Sequence, residues 1–277
     1  MSLDNGGHLT HGSSVNFSGK LYKTIFYGLT SDGYINYDDL ELMAQTYLPN
    51  IILAGASAYS RVIDFQEIQK RINNVIRLNP NYRPYFMIDM AHIAGLIAAG
   101  VHPSPFGLAD IITTTTHKTL RGPRGGMIFC KKELAKAVDS AVFPGSQGGP
   151  LEHIIAGKAV AAEEACTDEY KKYIYQVVKN CKAMAREFQR LGYHIITGGT
   201  DNHLFLLDLT HTGLTGKQVQ DELNKNGITV NKNCIPNETR PPSETSGIRI
   251  GTAAMTTRGF QEIDFIRVAH EINNIIK

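Results

Sequence analysis

Three short apolar runs in the first half of the chain each end in polar or small side chains, and they recur about every thirty residues, the length of a βαβ unit. The runs are NIILAGAS, closing at Ser57; YFMID, closing at Asp89; and ADIITTTTHK, closing at His117 and Lys118. Strands joined by crossovers of that length run parallel, so they share one C-terminal edge, where open α/β sheets bind their ligands. Ser57, Asp89, His92, His117 and Lys118 are therefore expected to converge on one crevice although they lie far apart in sequence. Between the first two runs, Asp64 and Glu67 have capping-box spacing, and Phe65, Ile68, Ile72, Val75 and Ile76 fall on one face of a helix that PNYRP ends. A short Ala/Ile-rich helix is predicted after Asp89, and GGMIFC supplies a further strand.

The texture changes after Cys166. Ile174, Val177, Val178, Cys181, Met184, Phe188 and Leu191 form a helical stripe that Gly192 terminates. LFLLDL, a helix over roughly 215–226, ITVNKN, GIRIGT and an amphipathic helix from about Arg258 then predict a smaller α+β domain. The expected architecture is α/β, a mostly parallel sheet with helices on both faces over residues 1–167, followed by a connecting helix and a small α+β domain over 168–277. Neither internal repeats nor low-complexity tracts interrupt it.

Composition narrows the functional classes. With 277 residues and 42% apolar content the chain can bury a sizeable core. A formal charge of +2, with acids and bases interspersed, creates no field that would single out nucleic acid or a membrane surface as an obligate partner. Cys130, Cys166, Cys181 and Cys234 form no C-x-x-C pair and suit free thiols in a reducing compartment. No basic leader precedes an apolar segment at MSLDNGGHLTHG, and no run approaches membrane-spanning length. The expectation is a soluble, cytoplasmic protein.

A lone lysine at a strand end is ordinarily a solvated surface charge; what lifts Lys118 above that reading is its convergence with an acid and two histidines. A lysine amine can form a Schiff base with a carbonyl, and a carboxylate is what pyridoxal phosphate requires opposite its protonated ring nitrogen. Asp89 and Lys118 match that pair. GSQGGP at 145–150 offers a glycine-rich turn whose backbone amides suit a phosphate. Neither G-x-x-x-x-G-K-[ST] nor a strand-borne G-x-G-x-x-G is present, which weakens nucleotide readings. His8 and His11 lack a clear third metal ligand, so no metal is expected.

The segments GGHLTHG, SAYSRVIDF, MIDMAHIAGL, TTTTHKTLRGPRGG, FPGSQGGP, HIIAGKAVA and TSGIRIGT, in that order, resemble the signature segments of the serine hydroxymethyltransferases, a family of fold-type-I pyridoxal phosphate enzymes. The resemblance covers nearly the whole chain. It implies that Lys118 holds the cofactor covalently, that Asp89 pairs with the ring nitrogen, that His8 lies against the ring, and that Ser57 and His92 lie near the ring hydroxyl. It implies that Arg249 grips the amino-acid carboxylate, while Gly149 offers its amide to the cofactor phosphate from a neighbouring subunit, making a homodimer or a dimer of dimers. Thr115 and His117 would shape proton traffic beside the lysine, and Arg124 would brace the substrate region. Leu3, Gly7, Leu9 and Asn233 match positions that contact tetrahydrofolate. The implied reaction moves the hydroxymethyl carbon of L-serine reversibly to tetrahydrofolate, giving glycine and methylenetetrahydrofolate.

Two other classes share part of this logic: a different pyridoxal phosphate enzyme, such as a threonine aldolase or aminotransferase, and a non-catalytic assembly or binding module. The family pattern also includes a segment upstream of Met1, with a Ser-Gly phosphate loop and a proton-handling glutamate, and a longer small domain. The expectation is accordingly an internal piece of the enzyme that keeps the core of the crevice yet catalyses poorly by itself.

Overall fold

In the computed structural model, which describes residues 1–277, the three recurring runs are strands β1 (Ile51–Ala54), β2 (Tyr85–Asp89) and β3 (Ile111–Thr115). β1 pairs with β2 and β2 with β3, both in parallel, so the three C-terminal ends share an edge. β4 (Gly126–Cys130) returns antiparallel to β3, with Gly126 opposite Thr115. An antiparallel return needs no crossover helix. His117, Lys118 and Arg124 thus lie on the short connection that turns the chain back at this edge.

The helix Phe65–Leu78 buries Phe65, Ile68, Ile72 and Val75, while Ile76 stays at the margin. Asp64 caps it, accepting the Glu67 amide at 2.9 Å. Only half of the capping box forms, because the Glu67 side chain accepts from Arg71 at 2.7 Å and Lys70 at 3.1 Å. Losing the cap through Asp64→Ala should cost about 1 kcal/mol. With Ile52, Ala54, Phe86, Ile88, Leu96 and Ile112, all buried, this helix face belongs to a compact unit formed by Leu40–Gly55 and Asp64–Lys171. Each large aliphatic or aromatic side chain so buried contributes about 1.5–3 kcal/mol.

A second unit comprises Met1–Asp39, Ala56–Ile63 and Lys172–Lys277. Its sheet is fully antiparallel, in the order β5 (His194–Ile195), β6 (Leu204–Asp208), β8 (Gly247–Gly251), β7 (Asn231–Asn233). Against the sheet residues Phe205, Leu207, Ile248 and Ile250 pack Cys181, Met184 and Phe188, from the long helix Asp168–Arg190. Val219 and Leu223 of the helix Gly216–Lys225 join them, as do Phe265, Ala269 and Ile272 of the helix Glu262–Ile276. Thr215 and Gln218 close a complete capping box at the head of Gly216–Lys225. The last helix begins four residues later than Arg258, where the periodicity placed it. A separate short helix, Ala253–Thr257, ends there, and Gly259, at φ +95°, breaks the continuity. No helix is long and apolar enough to cross a membrane.

Candidate active site

β2 carries Asp89 to the common edge, where one carboxylate oxygen accepts the amide of Ala91 at 3.0 Å. Behind it lies Gly55, just past β1, at φ +139°. A Cβ on Gly55 would stand 2.4 Å from the Asp89 carbonyl oxygen and 3.0 Å from its Cβ. Only glycine permits both that dihedral and that approach.

Lys118 opens a tight turn. Its carbonyl accepts the Arg121 amide at 3.0 Å, the Gly122 amide reaches the Thr116 carbonyl at 2.7 Å, and Arg121 adopts φ +57°. The Thr116 hydroxyl clamps the far side by donating to the Pro123 carbonyl at 2.6 Å. Thr119, fully buried, ties the turn to the loop after Asp89: its hydroxyl donates to the His92 carbonyl at 2.9 Å and accepts the Gly95 amide at 3.0 Å. Tyr170 completes the brace, donating its phenol proton to the Thr119 carbonyl at 2.8 Å while its ring lies 5.5 Å from the Arg121 guanidinium carbon. Three residues before Lys118, the Thr115 hydroxyl is buried with no hydrogen-bond partner.

His117 faces two donors. Arg124 Nη1 approaches Nε2 at 3.1 Å, and the Gly125 amide approaches Nδ1 at 3.4 Å. A neutral ring offers one acceptor nitrogen, and the shorter contact assigns that role to Nε2. A doubly protonated ring would turn N–H against N–H on both sides. Burial, followed by the charges of Arg124 and Lys118, accordingly holds the His117 pKa below the ordinary histidine value.

The α+β unit organises its own set of expected residues. The Gly6 carbonyl accepts the amides of Ser57 at 2.8 Å and Ala58 at 3.0 Å. Gly6 sits at φ +87°, where a Cβ would meet the Ala58 carbonyl oxygen at 2.7 Å. The Ser57 carbonyl in turn accepts Arg249 Nη1 at 2.8 Å, and Nη2 lies 3.3 Å from Asn231 Oδ1. Burial lowers the Arg249 pKa, although an arginine remains charged throughout the physiological range. The His8 ring presents Nδ1 to the amide (3.3 Å) and the hydroxyl (2.7 Å) of Thr10. Leu3 and Leu9 are each 41% exposed, which leaves apolar surface for a ligand. Burial and the nearby carboxylates of Asp4, next to Leu3, and Glu238 push the thiol of Cys234, next to Asn233, up to about 11.

Of the expected residues, the α/β unit thus joins Asp89, His92, Thr115, His117, Lys118 and Arg124 through one short loop and its brace. In the α+β unit the Ser57 main chain bonds Gly6, the residue before Gly7 and His8, and also the Arg249 side chain, while Asp4, next to Leu3, lies near Cys234, next to Asn233. Gly149 stands apart on an exposed loop, where a Cβ would meet nothing within 4 Å. Gly55, Thr119 and Tyr170 were not anticipated from the sequence. Tyr170 carried a usable signal, since it lies four residues before Ile174 and extends the same helical stripe.

A family model described as serine hydroxymethyltransferase matches residues 1–272 of the 277.

Proposed function

As the chain belongs to the serine hydroxymethyltransferase family, we propose that it moves the hydroxymethyl carbon of L-serine reversibly to tetrahydrofolate, giving glycine and 5,10-methylenetetrahydrofolate, with pyridoxal phosphate as cofactor. The observation that carries this reading is the Thr119 hydroxyl, which ties the Lys118 turn to the loop opened by Asp89. An amine, a carboxylate and an imidazole assembled at one sheet edge are the donor set that pyridoxal phosphate requires. The Thr115 hydroxyl, buried and unpaired beside them, is a polar atom that a bound polar group can satisfy. The residues fit the group, whose fold-type-I setting is the family's.

When bound, the cofactor supplies an electron sink for the pair released as the substrate bond breaks. Lys118 would hold it through its amine and Asp89 would face the ring nitrogen, while His8, Ser57 and His92 would orient the ring and its hydroxyl. Arg249 binds the amino-acid carboxylate with a planar fork suited to two parallel hydrogen bonds. His117, whose neutral form the fold favours, and Thr115 handle protons next to the lysine. Arg124 braces the substrate region. Leu3, Gly7, Leu9 and Asn233 receive the folate. The exposure of the loop bearing Gly149 supports its use on the phosphate held by a second copy, so the working unit is a homodimer, acting in the cytoplasm.

The test is an absorbance titration with pyridoxal phosphate, followed by an assay of serine-to-glycine conversion with and without tetrahydrofolate. Cofactor uptake is the expected result, with any serine-to-glycine conversion, however slow, depending on folate. Uptake with transamination or aldol cleavage indifferent to folate would overturn the assignment of the reaction, and absence of uptake would overturn the site.

A further inference from the structure

Between β7 and β8 the chain makes an excursion, residues 234–246, flanked by Asn233, the last residue of β7, and by Arg249, the third residue of β8. From outside, the amides of Gly216, Lys217 and Leu209 hold only its last residues, reaching the carbonyls of Thr245, Glu244 and Ser246, each at 2.9 Å. Glu238 ties the excursion together along its length: Oε1 accepts the amides of Thr239 at 3.0 Å and Arg240 at 2.9 Å and the Ser246 hydroxyl at 2.6 Å, while Oε2 accepts the amides of Ile235 at 3.3 Å and Ser246 at 2.8 Å. One carboxylate therefore grips the start, the middle and the end of the excursion. Burial opposes ionisation, yet the donors from Ser246, Arg240 and Ile235 reverse that and hold its pKa below the ordinary glutamate value.

We propose that Glu238 is a positioning residue for folate binding: its carboxylate closes the 234–246 excursion and so sets Asn233 where the pterin-bearing substrate is received. The inference rests on the proposed function, because it takes Asn233 as a folate contact. Ser246 directly precedes Gly247, the residue paired with Asn233 across β7 and β8, so the grip on Ser246 acts at the end of the ladder where Asn233 leaves the sheet. Ile235, gripped at the other end, is two residues beyond Asn233. Arg249 is secured separately, by Ser57 and Asn231, and does not depend on the clasp.

Glu238→Gln is the informative change. An amide has one oxygen, so its NH2 group would face N–H donors at the position now held by Oε1 or Oε2. Glu238→Asp keeps the charge on a shorter arm, and Ser246→Ala removes a single donor from the clasp. Hydrogen exchange on the pyridoxal-phosphate-loaded protein should show amides 235–246 exchanging faster in Glu238→Gln, with β6 unchanged. Calorimetric titration of tetrahydrofolate in the presence of glycine should show affinity lowered about tenfold, a smaller loss for Ser246→Ala, partial recovery in Glu238→Asp, and unaltered affinity for glycine and pyridoxal phosphate. Unchanged exchange across 235–246 would overturn the clasp. Faster exchange with unchanged folate affinity, or an equal loss for glycine and folate, would overturn the positioning role while leaving the functional reading intact. A wild-type protein that binds glycine but no folate would overturn the functional reading and the folate role with it.

Discussion

The phenol of Tyr170 donates to the main-chain carbonyl of Thr119 at 2.8 Å across 51 positions of sequence, in a site where both residues are buried. That bond holds the residue next to Lys118. It lets a residue that touches no reacting atom decide how firmly the lysine turn is seated.

Tyr170→Phe keeps the ring under Arg121 and leaves the Thr119 carbonyl buried without that donor, a loss of about 1–3 kcal/mol. Tyr170→Ala also empties the ring's volume, for about 3–5 kcal/mol. Urea unfolding measures both. In parallel, borohydride reduction after exposure to pyridoxal phosphate should label Lys118 less completely in Tyr170→Ala than in the unmodified chain. A Phe variant with an unshifted midpoint would show that the bond contributes nothing, and labelling mapped to a different lysine would remove Lys118 from its role.

Gly55→Ala should separate strand geometry from chemistry. The new methyl would stand 2.4 Å from the Asp89 carbonyl oxygen at a dihedral that alanine rarely adopts, so the backbone must move or carry strain of about 1–3 kcal/mol. Since the displaced group is Asp89 itself, affinity for pyridoxal phosphate should fall more than overall stability does. Absorbance titration beside thermal melting reads both quantities. Full cofactor affinity in a destabilised variant would mean that Asp89 does not hold the ring.

The sequence made some of this legible for physical reasons that can be named. The helix Phe65–Leu78 announces itself by a capping aspartate and a 3.6-residue apolar period, both local properties of the chain. The parallel pairing of β1, β2 and β3 follows from the length of chain between them. The return of β4 was less accessible: GGMIFC reads as a strand, but pairing direction is absent from a run's own pattern, and β5 is only two residues long. The terminal helix was placed early because its period continues through Gly259, where the backbone does not. In the candidate site, the chemically distinctive residues stood out by type. Their supports did not, since Thr119, Tyr170 and Glu238 act through main-chain carbonyls and amides that any sequence possesses.

Arg249 has two nitrogens engaged by its own unit, Nη1 with the Ser57 carbonyl and Nη2 with Asn231, which orient the rest of the guanidinium. Arg249→Ala removes a charged, largely desolvated donor, so serine affinity should fall by about 2–5 kcal/mol, with pyridoxal phosphate affinity nearly unchanged. Arg249→Lys should recover little, because an ammonium cannot hold Ser57, Asn231 and a carboxylate in one plane. Spectral titration with serine and with cofactor separates the two affinities. Equal weakening of both, or full recovery by lysine, would argue against the carboxylate-binding role.

His117 sets the pH behaviour of the lysine turn. Its pKa in the folded chain lies below the ordinary value of about 6.5, through burial and then the charges of Arg124 and Lys118. Below that ordinary value the unfolded chain takes up a proton that the folded chain resists. Stability therefore declines as pH falls from about 6.5 toward the depressed folded pKa, and this contribution is flat above it. The ring is partly exposed, so the effect on stability is small and the titration itself is the better readout. Arg124→Ala removes a neighbouring charge and the donor facing Nε2, leaving burial and Lys118 in place. NMR titration of the ring proton should then give a His117 pKa raised toward, but still below, the ordinary value. An unchanged or further lowered pKa in Arg124→Ala would mean that the guanidinium does not hold the ring neutral, and the proton-handling role assigned to His117 would lose its electrostatic basis.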